Sequence, residues 1–118
     1  MSFENDCQKL FDSYVSHYRV GDAAGCSSAF AAEAQLYSPY GAPAIGRPAI
    51  EATHKEWLAD GGEDKQISVL SSGCSGDLGW CLAQFSEVDA DSGTSLNVLE
   101  RQADGEWLIT RCSLNDAS

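Results

Sequence analysis

The stretch VLERQADGEWLI, residues 98–109, decides the fold of this chain. Apolar and polar side chains alternate on both of its arms, which is the pattern of half-buried β-strands. Between the arms lies Asp104-Gly105, a dipeptide that tolerates the positive φ angles of a two-residue type I′ turn. The stretch therefore predicts a β-hairpin whose turn is Asp104-Gly105.

The first half of the chain has a helical pattern instead. Apolar side chains recur every three or four residues between Phe3 and Tyr18 and form one stripe. Gly21 suits the position after a helix C-terminus, and Asp22 suits the N-cap of a following helix. Three helices are predicted: one that ends before Gly21, a short one from Ala23 to about Phe30, and one from Arg47-Pro48 to Gly61-Gly62.

After the third helix the pattern changes to strands. Helices followed by an antiparallel sheet indicate the α+β class, here three N-terminal helices packed on a curved, mostly antiparallel sheet of five or six strands. The part of the concave face that the helices leave open is expected to form a pocket. The predicted strands are 34–38, a short one after it, 65–72, 78–88, 94–102 and 106–114, and the turns between the last four are 73–76, 89–93 and 104–105.

Composition and charge exclude several classes of partner. The chain has 118 residues, of which 43% are apolar, and this fits a single domain with one core. Seven basic residues stand against eighteen acidic ones, so the net charge is −11. Such a surface repels phosphates and anionic lipids. We therefore expect neither nucleic-acid nor membrane binding.

The five cysteines indicate free thiols. Their number is odd, no Cys-x-x-Cys pair occurs, and no histidine cluster lies near them. We expect mostly buried thiols in a reducing compartment, the cytoplasm, and no metal site. The polar, acidic start of the sequence is unlike a signal peptide, and no apolar run has membrane-spanning length. Neither a dinucleotide-binding motif nor a P-loop occurs, so no cofactor is expected.

Three segments resemble the NTF2-like superfamily, in particular its SnoaL-like and ketosteroid-isomerase-like members. Residues 14–22 resemble the end of the family's first helix with its Gly-Asp break. Residues 36–50 resemble its strand, loop and Gly-Arg entry into the third helix, and residues 99–109 resemble its last hairpin. The resemblance implies one NTF2-like (cystatin-like) cone over residues 1–118, a central pocket, and a homodimer formed through the outer sheet face.

The resemblance also implies candidate site residues. Ketosteroid isomerases use a tyrosine and a protonated carboxylic acid as hydrogen-bond donors to an enolate oxygen, with a carboxylate as the base. Tyr14 matches the tyrosine, Asn97 matches the acid, and Ser38 stands where the family has its base. Serine is too weak a base for this reaction, so isomerisation by the family's mechanism is not expected. Tyr14 and Asn97 would still both donate to one ligand oxygen.

Other residues complete the predicted site. His54 shares a helix face with Ile50 and is the remaining candidate base, and Trp57 is the best pocket wall. Leu99 and Arg101 share strand parity with Asn97, so they are candidate ligand contacts. Each has an alternative: Tyr14 and His54 as hydrogen-bonded core residues, and Arg101, like Arg111, as the partner of a surface acid. Cys81 and Cys112 lack an activating base.

Two functions follow, and the sequence leaves both open. The first is an isomerase- or cyclase-type enzyme acting on a small, largely apolar carbonyl or hydroxy compound. The second is a non-catalytic module that binds a small ligand or assembles through its sheet, favoured by Ser38 and by the absence of an inward Asp/Glu–His pair in the sequence. A pocket that brings Tyr14, Asn97 and a titratable group together would favour the enzyme. A cavity filled by Trp57 and Phe30 would favour the module.

Overall fold

Helices cover one face of a six-stranded sheet in the computed structural model, which describes residues 2–59, 61–87 and 92–116. The strand order is β2-β1-β6-β5-β4-β3, with β1 and β6 parallel and every other neighbouring pair antiparallel. The α+β class and a curved, mixed sheet are thus confirmed. The elements are α1 Phe3–Arg19, α2 Ala23–Ser27, β1 Phe30–Ser38, β2 Gly41–Ile45, α3 Arg47–Leu58, β3 Gln66–Ser75, β4 Leu78–Ser86, β5 Ser92–Arg101 and β6 Trp107–Asp116.

The first helix forms where the apolar stripe predicts it. Ser2 caps its N-terminus by accepting a hydrogen bond from the Asn5 backbone N–H at 3.1 Å. Gly21 follows its C-terminus with a φ of 76°, a conformation that costs glycine little. Asp22 then caps α2 by accepting from the Gly25 N–H at 2.9 Å. The stripe faces the sheet and supplies Phe11, Tyr14 and Tyr18 to the wall described below.

The second helix is shorter than predicted. It ends at Ser27, and Phe30 already begins β1. The competing interaction is strand pairing, because the Ile109 N–H donates to the Ala29 carbonyl at 2.9 Å and draws the chain alongside β6. The apolar side chains of this segment therefore serve a strand, which local helical spacing cannot distinguish from a helix.

The third helix is anchored on β1. Gly46, with a φ of 90°, lies before its first turn and donates its N–H to the Ala34 carbonyl at 2.8 Å. The Arg47 guanidinium donates to the Phe30 carbonyl at 2.7 and 3.0 Å through two of its nitrogens. These bonds fix the helix face that carries His54 and Trp57 over the sheet.

The C-terminal hairpin forms, but its turn differs from the prediction. The Gly105 N–H donates to the Gln102 carbonyl at 2.9 Å, and the Gln102 N–H donates to the Glu106 carbonyl at 2.7 Å. The loop therefore has three residues, 103–105, with Gly105 at a φ of 90°. Asp104 stabilises it by accepting from the Glu106 N–H at 2.9 Å.

Two other predicted turns also change. Strand β3 continues through Gly73 to Ser75, so the turn predicted at 73–76 contracts to Gly76 and Asp77. Of the turn predicted at 89–93, residues 89–91 lie outside the described residues, and β5 begins at Ser92. Among the helices that the structure describes, none is both long and apolar enough to cross a membrane.

Candidate functional site

A cavity of about 370 Å³ lies between the helices and the inner face of the sheet. Its size and largely apolar wall are typical of small-molecule sites. The exposed side chains of Tyr40 and Glu56 mark the side that opens to solvent. The wall consists of Phe11, Tyr14, Tyr18, Phe30, Leu36, Tyr40, His54, Glu56, Trp57, Gly61, Lys65, Ile67, Phe85, Glu87, Ser95, Asn97, Ile109, Cys112 and Leu114.

A buried tyrosine–histidine pair joins α1 to α3 in this wall. The Tyr14 Oη and His54 Nε2 atoms are 2.7 Å apart, and His54 Nδ1 is 2.8 Å from the Ile50 carbonyl oxygen. Because that carbonyl can only accept, Nδ1 carries the proton of the neutral ring. His54 Nε2 is then the acceptor, and the Tyr14 hydroxyl donates to it.

Burial fixes the protonation of this pair. It lowers the pKa of His54 to about 4, so the ring is neutral at pH 7. Burial also raises the pKa of the Tyr14 hydroxyl well above its usual value, so Tyr14 is neutral as well. The tyrosine proton points at His54, and the Tyr14 oxygen keeps a lone pair that can accept a hydrogen bond.

Asn97 on β5 is fully buried, and its amide N–H groups are already engaged. Its Nδ2 atom lies 3.0 Å from Ser95 Oγ, 3.3 Å from the Cys81 carbonyl oxygen and 3.4 Å from the Ser95 carbonyl oxygen. Turning the amide over would set Oδ1 against two carbonyl oxygens, so this orientation is fixed. Its Oδ1 atom is buried, and none of the described residues donates to it.

Lys65 and Glu87 form a charged group at another part of the wall. Lys65 is 9% exposed, and its ammonium lies 4.6 Å from the ring centre of Tyr18 and 4.7 Å from that of Phe85. Its Nζ atom is 3.6 Å from Glu87 Oε1. Burial, together with a hydrogen bond to the Glu87 carboxylate, raises the pKa of Tyr18. The cavity therefore holds both a cation and a carboxylate.

Comparison with solved structures places this architecture. A ketosteroid isomerase-like protein from Erwinia carotovora atroseptica SCRI1043 superposes with a TM-score of 0.78 at 14% identity, over 94% of this chain and 93% of that one. An NTF-2 like protein of unknown function from Shewanella oneidensis MR-1 gives 0.77 at 16% identity, over 93% and 96%. The chain has the NTF2-like fold. A Nostoc punctiforme PCC 73102 domain of unknown function with a cystatin-like fold gives 0.82 at 14% identity, over 100% and 80%.

No protein-family model and no curated protein sequence matches this chain. At these identities the structural matches show the NTF2-like fold alone. Any reaction therefore has to be argued from the side chains of the cavity.

The NTF2-like cavity brings four predicted residues together. Tyr14, His54, Asn97 and Trp57 all lie in its wall, with the ring centres of His54 and Trp57 4.9 Å apart. Their hydrogen bonds differ from the expected arrangement, in which Tyr14 and Asn97 both donate to a ligand oxygen. Both side chains have committed their protons to protein acceptors, so what they offer the cavity is oxygen lone pairs.

Three other predicted contacts do not line the cavity. Ser38 lies at the β1–β2 turn, where its Oγ accepts from the Tyr40 N–H at 3.3 Å. Leu99 is fully buried in the core of the NTF2-like fold, at the end of the sheet where Phe3 packs on Trp107 with ring centres 4.8 Å apart. Because that end of the sheet is filled, the Arg101 side chain points to the surface.

Both arginines of the last hairpin point away from the cavity. The Arg101 Nε atom donates to Asp77 Oδ1 at 2.8 Å, and its guanidinium lies 5.2 Å from the Trp107 ring centre. Arg111 is paired in register with Val98 on the outer face and donates to the backbone and side-chain oxygens of Thr110. The predicted surface pairing of Arg101 is the arrangement that occurs.

Sequence reasoning missed Lys65 and Glu87, although strand parity contained the signal. Side chains alternate between faces, so Lys65 shares its face with Ile67 and Val69, and Glu87 shares its face with Phe85. Both charged residues lie just outside a strand, where alternation is easily discounted. The carboxylate of Glu87 therefore lines the cavity beside Lys65.

Neither a thiolate nor a metal centre is found in the wall. Burial raises the pKa of Cys112 to about 12, so its thiol is protonated and a poor nucleophile at neutral pH. Throughout residues 2–59, 61–87 and 92–116, no three histidine, cysteine, aspartate or glutamate side chains gather closely enough to hold a metal ion.

Proposed function

We propose that this chain binds a small, largely apolar carbonyl or hydroxy compound in its cavity. The observation that carries the proposal is the cavity itself, about 370 Å³, with few polar groups in a mostly aromatic and aliphatic wall. One of the superposed proteins is a ketosteroid isomerase-like protein, which is consistent with a ligand of this class.

The aromatic wall favours a planar ligand. Trp57 contacts Tyr40 with ring centres 6.1 Å apart and an angle of 86° between the rings, and it contacts His54 at 4.9 Å. Tyr14 and Phe30 meet edge to face at 6.5 Å, and both rings also contact His54. Flat apolar surface buried between such rings gains dispersion and hydrophobic energy without needing a hydrogen bond at every edge.

The matched substitutions Trp57→Ala and Trp80→Ala test this proposal. We expect calorimetric titration with 2-naphthol to show binding to the wild type and an affinity about 10-fold or more lower for Trp57→Ala, because a large part of the wall is lost. Trp80 lies 44% exposed on the opposite face of the sheet, so Trp80→Ala should bind like the wild type. Equal losses in both variants, or no binding to the wild type, would contradict a ligand in the cavity.

An isomerase- or cyclase-type activity is a second candidate, and Glu87 favours it. A carboxylate in an apolar cavity is the kind of base that removes a proton from carbon beside a carbonyl. The Lys65 ammonium, 3.6 Å from Glu87 Oε1, supplies positive charge near an enolate oxygen that would form there. This pair stands in place of the base that the sequence lacks at Ser38.

We also propose a homodimer formed through the outer face of the sheet. Trp80 is paired in register with Val98, and Leu82 with Leu96, so four apolar side chains adjoin on that face. Trp80 and Leu96 are 44% and 47% exposed in the single chain. A contiguous exposed apolar patch of this kind is typical of a protein interface.

The substitution Leu96→Glu is expected to disrupt this dimer. Light scattering at micromolar concentration should give twice 12.6 kDa for the wild type and 12.6 kDa for the variant, since a charge would be buried opposite its symmetry mate. Val20→Glu serves as the control, because Val20 is 77% exposed and lies after α1. A monomeric wild type would refute the dimer.

A further inference from the structure

Asn97 and Tyr14, which were expected to donate hydrogen bonds into the cavity, are acceptors instead. Asn97 spends its N–H groups on Ser95 and Cys81, and its Oδ1 atom receives no hydrogen bond from the described residues. A buried acceptor without a donor costs free energy comparable to a lost hydrogen bond, so a fully buried one in a cavity wall needs an explanation.

A second acceptor lies in the same wall. The Tyr14 hydroxyl donates its only proton to His54 Nε2 at 2.7 Å, because the Ile50 carbonyl holds the ring in the tautomer that accepts there. Rotating this proton toward the cavity would leave the buried Nε2 atom unpaired. Tyr14 can therefore accept from a ligand but cannot donate to it without a cost.

We propose that the cavity selects a ligand bearing a hydroxyl or N–H donor, and that Asn97 Oδ1 accepts this hydrogen. The inference rests on the proposed function, since it assigns the polar end of the same ligand. A bare carbonyl placed at this point would set two oxygen lone pairs against each other, whereas a hydroxyl satisfies the orphaned acceptor. Ring surface of the ligand would then lie along the aromatic wall near Trp57.

The charged pair of the cavity, Lys65 and Glu87, does not reverse this preference. Lys65 is a donor, but it lies between the rings of Tyr18 and Phe85 beside Glu87. A ligand carbonyl is accommodated there, while the hydroxyl is read at Asn97. A hydroxy ketone would satisfy both groups, and a simple aromatic alcohol already satisfies the first.

Binding of 2-naphthol and 2-fluoronaphthalene to the wild type isolates the donor. The two ligands have nearly the same shape, and only the first can donate a hydrogen bond. Because the hydroxyl loses its water on entering the cavity, it improves affinity only if a protein acceptor replaces that water. We expect 2-naphthol to bind at least about fivefold more tightly, as measured by calorimetric titration.

The substitution Asn97→Leu should remove this preference, so that the two ligands bind within about twofold of each other. Asn115→Leu is the matched control, since Asn115 is exposed on β6 and does not line the cavity, and it should retain the preference. Circular dichroism of each variant checks that it is folded, and the wild-type comparison stands even where a variant is not.

The outcomes separate the two proposals. Equal binding of 2-naphthol and 2-fluoronaphthalene to the wild type would overturn the donor inference while leaving ligand binding intact, as would a preference that persists in Asn97→Leu. Binding of neither ligand would contradict the proposed function itself. Tighter binding of 2-naphthaldehyde than of 2-naphthol would show that the cavity instead reads a carbonyl.

Discussion

Replacing Glu87 with glutamine is expected to lower hydrogen exchange at the carbon beside a bound carbonyl by at least about 100-fold. General bases contribute about 100- to 10,000-fold to such proton transfers, and glutamine cannot accept the proton. The exchange would be followed by NMR as deuterium from D₂O enters 2-tetralone in the presence of the protein. Glutamine keeps an oxygen that can accept from the Tyr18 hydroxyl, so the change is small in shape.

Residues of the cavity wall accept both the proton and the negative charge that the expected step releases. The carbon–hydrogen bond breaks, its proton moves to the Glu87 carboxylate, and the electron pair forms an enolate whose oxygen lies near the Lys65 ammonium. Return of a deuteron to the same carbon gives exchange, return to another carbon gives isomerisation, and attack of the carbon on a second carbonyl gives cyclisation. Each outcome requires the same base.

Glu56→Gln is the matched control for that substitution. Glu56 also lines the cavity but is exposed at its open side, so its loss should change exchange only slightly. Equal exchange by the wild type and Glu87→Gln, with both proteins folded, would remove the enzymatic candidate. Binding in the cavity would then remain as the function.

The protein is expected to lose about 2 kcal/mol of stability between pH 7 and pH 5 through His54 alone. Burial lowers the pKa of this side chain from 6.5 to about 4 in the folded protein. The unfolded chain therefore binds the proton first, so His54 contributes stability above pH 6.5 that is lost as the pH falls toward 4. The full loss is about 3 kcal/mol, at about 1.4 kcal/mol for each pH unit.

Urea unfolding of the wild type and His54→Gln at both pH values measures this effect. Glutamine can still accept from the Tyr14 hydroxyl but does not titrate, so its stability should fall about 2 kcal/mol less than that of the wild type. Both proteins have the same carboxylates, so the effect of carboxylate protonation on stability cancels when the two are compared. A parallel fall in both would show that His54 protonates in the folded state as easily as in the unfolded one.

Local patterns predicted the elements well where one interaction dominates. The stripe from Phe3 to Tyr18 gave a helix because its spacing buries one face of that helix, and Gly21 ended it through a left-handed conformation. The helix prediction failed for the segment before Phe30 because a parallel pairing with β6, nearly eighty residues away, overrode local helical spacing. A strand partner so distant in sequence gives no signal in the local pattern of apolar residues.

The sequence predicted several of the residues that line the candidate site, but it did not predict their hydrogen bonds. Tyr14, His54 and Asn97 line one cavity, but only the contacts with Ile50 and Ser95 reveal that Tyr14 and Asn97 are acceptors toward it. A sequence gives the inventory of donors and acceptors and does not say which are already used. The donor-to-acceptor reversal could therefore not be predicted.

Strand parity gave a wrong prediction for Arg101 and held an overlooked signal for Glu87, and side-chain packing explains both outcomes. Arg101 has the parity of Asn97, yet Phe3 and Trp107 fill the space at that end and leave the guanidinium to Asp77. Glu87 was overlooked because a charged residue at a strand end is usually solvated. Parity gives the face of a residue, whereas the packing above that face decides whether it lines a cavity.

A crystal structure of the protein with 2-naphthol tests the central claim most directly. We expect the naphthalene ring inside the cavity against Trp57, with the hydroxyl oxygen within about 3 Å of Asn97 Oδ1. A ligand found only on the outer face of the sheet, or an empty cavity in crystals saturated with 2-naphthol, would contradict the account.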